Sequence, residues 1–145
     1  MGYLDNTWHT VLSDIGSIAS LAGLGFTIYV AWNLRNIKNN YIFRVRAPDF
    51  IKTVEKQAKT LLGYGNNFAN TKQEISVELV KVDVRLQAIE PRMRGSARKA
   101  VKEVRLYIKK YETDSNNRDS FDAICNGLIR VIAEVQELHE DLNLE

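Results

Sequence analysis

Residues 15–34 read IGSIASLAGLGFTIYVAWNL and carry no charge, with Asp14 before them and Arg35 after them. At ~1.5 Å rise per residue, a helix of about 20 residues spans ~30 Å, the thickness of a bilayer's hydrocarbon core. The stretch therefore reads as a transmembrane helix, the alternative being a central helix buried in a soluble bundle. A cleaved signal peptide opens on a basic region, whereas residues 2–14 hold Asp5 and Asp14 and neither Lys nor Arg. The basic residues Arg35, Lys38, Arg44 and Arg46 follow the run instead. An excess of Lys and Arg marks the cytoplasmic flank of a span. The expectation is an uncleaved, single-pass inner-membrane anchor with its C-terminal domain cytoplasmic. Tyr3 and Trp8 before the run, and Tyr29 and Trp32 near its end, sit where aromatic belts belong.

Inside the run, Gly16, Ser20, Gly23 and Thr27 recur at four- and three-residue steps, which places them on one side of a helix. Small side chains let two helices approach closely in lipid. This face is the expected packing surface of a homo-oligomer; the plainer explanation is that Gly and Ser are common in membrane helices.

The remainder of the 145-residue chain reads as all-α. Leu34, Ile37, Tyr41, Ile42 and Val45 extend the helical period into a basic juxtamembrane stalk. Pro48 disfavours helical geometry at Ala47 and suits the first position of a new helix, so the stalk is expected to end there. Four apolar stripes follow. They are Phe50, Ile51, Val54, Ala58, Leu61 and Leu62; Ile75, Leu79, Val82, Leu86 and Ile89; Ala97, Val101, Val104, Ile108 and Tyr111; and Phe121, Ile124, Leu128, Val131, Val135, Leu138 and Leu142. Each keeps helical spacing. Gly63–Asn67, Pro91–Gly95 and Thr113–Asn117 punctuate them, and Thr71 with Glu74 has the spacing of a capping box. Helices joined by short connections pack as an antiparallel bundle. The expected organisation is an extracytoplasmic tail at 1–14, a transmembrane helix at 15–34, a stalk at 35–47 and a four-helix cytosolic bundle at 48–145.

Charge totals, 20 basic against 18 acidic side chains, exclude nothing by themselves. Their distribution is uneven. From Arg92 to Lys110 the one acid is Glu103, while from Glu112 onward acids outnumber Arg118 and Arg130 heavily. Arg94, Arg98, Lys102, Arg105 and Lys109 recur at helical spacing along one face, and Lys81 with Arg85 forms a similar pair on the preceding helix. Guanidinium groups donate paired hydrogen bonds to phosphate, and lysines add point charges. These seven residues are the expected phosphate or nucleotide site. The stripe is also compatible with a solvated face, with pairing to the acidic last helix, or with anionic headgroups.

Catalytic and metal chemistry have no motif here. Gly23-Leu24-Gly25 is followed by no lysine and makes no phosphate loop. Cys125 is the one cysteine, and His9 and His139 are isolated, so no zinc-ligand spacing exists. A buried, inert thiol is the reading for Cys125. The chain is expected to be no enzyme and to take no cofactor and no metal.

An apolar run, the collar Arg35 and Lys38, the segment YIFRVRAP at 41–48 and a small helical bundle together resemble the small bacterial membrane proteins of phage-defence islands. The layout is most similar to the Csx class of membrane-bound ancillary effectors of type III CRISPR systems. That resemblance implies an oligomeric antiviral effector whose cytosolic domain binds cyclic tetra-adenylate and perturbs the membrane. It rests on layout and carries over no site residue. The competing expectation is a membrane-tethered adaptor whose bundle docks a protein partner through its acidic last helix.

Overall fold

The computed structural model describes the backbone of residues 5–144 and the side chains of residues 19–144. Among these the elements are α1 (Asp5–Gly65), α2 (Lys72–Ile89), a single 3-10 turn (Glu90–Arg92), α3 (Gly95–Thr113) and α4 (Arg118–Leu144), with no strand. The chain divides into two units, Met1–Asn39 and Asn40–Glu145.

The all-α bundle stands, and the membrane anchor does not. Among the described residues, no helix is long and apolar enough to cross a membrane. That overturns the transmembrane helix at 15–34, of which residues 15–18 lie outside those with described side chains, together with the single-pass inner-membrane location and the cytosolic placement that hung on it. The physical reason is dilution. From Ala19 onward Ser20, Gly23, Gly25, Thr27 and Asn33 interrupt the aliphatic residues, and Arg35, Asn36 and Lys38 follow within a turn. The expected tail at 1–14 changes too, since residues 5–14 are helical backbone at the start of α1.

In the second unit the core is made by the stripes that the sequence spacing marks. Ile75, Leu79, Val82, Leu86 and Ile89 of α2 are buried. So are Ala97, Val101, Val104, Ile108 and Tyr111 of α3. On α4 the buried set includes Phe121, Ile124, Leu128, Val131, Val135 and Leu142, while Leu138 packs partly against it. The contribution of α1 begins earlier than expected. Phe43 and Ala47 are fully buried with Phe50, Val54, Ala58 and Leu61, so the second half of the supposed stalk belongs to the bundle.

Pro48 consequently sits inside α1 and does not end it. A proline there removes one helix hydrogen bond and costs about 3 kcal/mol. Burying Phe43 and Phe50 on either side contributes about 1.5–3 kcal/mol each, which offsets the loss. Pro48 itself faces outward.

The connections use specific local chemistry. Thr71 forms no cap on α2; its hydroxyl lies 2.9 Å from the Tyr64 carbonyl and 3.1 Å from that of Asn67, tying down the preceding turn. Gly95 opens α3 at φ 58°, a left-handed conformation that other residues adopt at a cost. Asn117 Oδ1 accepts from the Ser120 amide at 2.9 Å and caps the start of α4. At the same end of the bundle Phe68, Tyr111 and Phe121 cluster, with Phe68 and Phe121 ring centres 5.3 Å apart. Gly127 of α4 makes room for the Val104 side chain of α3, since a Cβ there would lie 2.5 Å from Val104 Cγ2.

Candidate functional site

Arg46, Arg85 and Arg92 converge on one groove of about 230 Å³ in the second unit. Helical spacing explains the convergence. Arg46, Asp49, Phe50 and Thr53 share a face of α1, while Arg85, Ala88, Ile89 and Arg92 share the facing side of α2 and its terminal turn. Phe43, Phe50, Ala88 and Ile89 line it with apolar side chains, and Arg46, Arg85 and Arg92 add long side chains with cationic ends.

The three arginines are not equivalent. Arg92 Nη1 donates to the Ala88 carbonyl at 2.8 Å. That holds it at the C-terminal end of α2, where the helix dipole favours a cation. Arg46 and Arg85 form no ion pair among the described residues. Their donors are left for solvent or a ligand. Asp49 is the one carboxylate in the groove, so its lining carries an excess of two positive charges. Thr53 is the hydroxyl there, and it already donates to the Asp49 carbonyl at 2.8 Å. No nucleophile with a paired base lines the groove. The lining thus joins apolar surface with cationic side chains.

Of the seven expected cationic site residues, Arg85 alone reaches this groove. Lys81 pairs with Glu78 at 3.1 Å. Arg94 donates to Asn40 Oδ1 at 3.0 Å. Arg98, Lys102 and Lys109 stand exposed along α3. Arg105, in the middle of that stripe, is engaged twice, with Nε 2.8 Å from Asp83 and Nη1 2.8 Å from Glu90. Those two acceptors raise its pKa further above the ordinary arginine value. The stripe is interrupted at its centre by a structural tie between α2 and α3.

Three acids of α4 lie near the start of α3. Glu134, Glu137 and Asp141 surround a shallow depression with Arg94, Gly95 and Ser96 at the start of α3, where the helix dipole is positive. Among the described residues no cluster of His, Cys, Asp and Glu is placed to hold a metal ion. Of the small-residue face, Gly16 lies outside the residues whose side chains are described. Ser20, Gly23 and Thr27 are exposed, and the Thr27 hydroxyl donates to the Gly23 carbonyl at 2.8 Å.

No family model, no curated protein and no solved structure matches the chain.

Sequence reasoning missed Arg46 and Arg92 because it sought cations repeated along one helix. The available signal was weaker and divided: Arg85 and Arg92, seven residues apart, share a face of α2, and Arg46 lies four residues before a core phenylalanine on α1. Only the packing of α1 beside α2 joins the two.

Proposed function

We propose that this chain is a non-enzymatic binding protein whose second unit recognises a nucleotide-type anion, a flat apolar ring carrying phosphate. The observation that carries this reading is the convergence of Arg46, Arg85 and Arg92 over the floor of Phe43, Phe50 and Ile89. Phosphate takes paired hydrogen bonds from guanidinium groups. A base gains from the apolar floor, and the size of the groove suits one ring with its phosphate. A cyclic oligoadenylate presents that unit repeatedly, so a messenger of this kind fits the proposal with one nucleotide seated per groove. The reading shifts the ligand from the α3 stripe to the α1–α2 groove and keeps its chemical class.

The test is calorimetric titration of the full chain with adenosine, adenosine monophosphate, cyclic tetra-adenylate and inorganic phosphate. The expected result is saturable binding of a phosphorylated nucleotide, stronger than that of adenosine or phosphate alone. Arg46→Glu and Arg85→Glu each weaken it by at least about tenfold, while Arg98→Glu and Lys102→Glu leave it unchanged. Binding lost through the α3 changes and kept by the groove changes, or no binding to any of the four, overturns the proposal.

A further inference from the structure

Among the described residues of the first unit, large apolar side chains stand exposed to solvent. Leu24, Phe26, Leu34 and Ile37 are each about 60% exposed or more, with values of 63%, 68%, 60% and 59%. These four lie on or beside one seam, while Leu21, Ile28, Tyr29 and Trp32, also exposed, lie on the other sides of the helix. Ser20, Gly23, Thr27, Val30, Leu34 and Ile37 follow at steps of three, four, three, four and three residues, which is the a/d spacing of a coiled coil. Leu24 and Phe26 flank that seam.

The seam is graded in size. Its first half is small (Ser20, Gly23, Thr27) and its second half is large (Val30, Leu34, Ile37). An antiparallel second copy centred between residues 28 and 29 sets Ser20 against the partner's Ile37. In the same register Gly23 meets the partner's Leu34, and Thr27 meets the partner's Val30. Every layer then joins a small residue to a large one, and the a and d positions face each other as an antiparallel pair requires. A parallel pair does the reverse, placing Gly23 on Gly23 and Leu34 on Leu34, with voids at one end and crowding at the other. Charge selects the same arrangement. The flanks of the seam are uncharged from Ala19 to Leu34, and Arg35 and Lys38 follow. Antiparallel pairing keeps these cations at opposite ends, while parallel pairing brings them side by side.

We infer that residues 19–38 of α1 dock a second copy of this chain as an antiparallel, two-fold helix pair. The interface is self-complementary, as a two-fold contact must be. Its area follows from the side chains. Phe26 offers about 150–250 Å² and Leu24, Val30, Leu34 and Ile37 about 60–120 Å² each, so with the small residues the seam covers about 600 Å² per copy. The total of about 1,200 Å² lies at the lower edge of specific interfaces. A concentration-dependent dimer in the micromolar range is expected. This inference does not rest on the anion groove, which uses other residues in the other unit.

Sedimentation of the full chain across concentrations measures the assembly, and disulfide trapping measures its direction. The expected result is a monomer–dimer equilibrium. Oxidation cross-links the S20C/I37C double variant, whereas S20C alone and the wild type, with Cys125 buried, stay uncross-linked. Gly23→Leu supplies the size test, because a Cβ at Gly23 meets nothing within 4 Å in the single chain and leucine favours helix. It is expected to weaken dimerisation at least tenfold, and the swap G23L/L34A is expected to restore it. A chain that stays monomeric at all concentrations, cross-linking of S20C to itself, or a dimer indifferent to Gly23→Leu overturns the inference.

Discussion

Arg105 of α3 donates from Nε to Asp83 of α2 at 2.8 Å, and its Nη1 reaches Glu90 at the same distance. The Arg105 side chain is only 22% exposed, so the two bonds join α2, the following turn and α3 behind a partial screen from water. This cation works for the fold. Arg105→Met is expected to lower stability by about 1–2 kcal/mol, between the value of an exposed pair and that of a shielded charge-assisted bond. Urea denaturation of the single variants and of the R105M/D83N pair measures the coupling. A double variant no less stable than either single one is the expected sign of direct interaction. Nucleotide binding by Arg105→Met is expected to stay at the wild-type level.

The contrast between Arg105 and Arg85 shows what the sequence makes legible. Helical spacing identified both faces of α2 and α3, and the buried residues Ile75 to Ile89 and Ala97 to Tyr111 follow it. Spacing along one helix cannot say which cation meets an acid on its neighbour. Asp83 and Glu90 are spread over α2 and its terminal turn, and only packing turns them towards Arg105. Pro48 was misread for a related reason: its local preference for a helix start is weaker than the burial of Phe43 and Phe50 on either side. The apolar run at 15–34 reads as a span by length and absence of charge, a reading that gives its glycines, hydroxyls and Asn33 too little weight.

Gly127 of α4 packs tightly against Val104 of α3. A Cβ there would sit 2.5 Å from Val104 Cγ2, and Val104 is fully buried on a stiff, β-branched side chain. Alanine gains about 1 kcal/mol of helix propensity over glycine, but overpacking a core costs about 1–3 kcal/mol. The second effect wins. Gly127→Ala is expected to lower the melting temperature, and Gly127→Ala combined with Val104→Ala is expected to lose less than the two changes summed. Thermal unfolding followed by circular dichroism checks both.

Cys125 titrates in a window that reports on folding. Burial pushes its thiol up to about 11, with the Asp122 charge adding to the rise and Arg118 opposing it. The unfolded thiol ionises near 9, so between these values the unfolded chain binds fewer protons than the folded one. Stability is therefore held below pH 9 and is lost as pH rises towards 11. Burial raises the Tyr111 phenol in the same direction. Cys125→Ala is expected to flatten the alkaline fall in stability, measured by urea midpoints from pH 8 to 10.5. Folded wild type at pH 8.5 is expected to resist alkylation that goes to completion in urea.

Asp49 is the one carboxylate in the three-arginine groove, and it therefore opposes any anion seated there. Its side chain forms no ion pair with Arg46 or with another cation among the described residues. Removing its charge thus breaks no contact of the fold, and the Thr53 bond runs to the backbone carbonyl of Asp49, which a substitution keeps. At a separation of about 7 Å and an effective dielectric of about 40, one like charge costs an anion about 1 kcal/mol. Asp49→Asn is expected to tighten nucleotide binding by about fivefold and to leave adenosine binding unchanged. The gain is expected to shrink as salt is raised from 50 to 500 mM, because a partly open groove is screened. Titration of wild type and Asp49→Asn at both salt concentrations measures it. A weaker complex in Asp49→Asn at low salt would place the anion elsewhere on the chain.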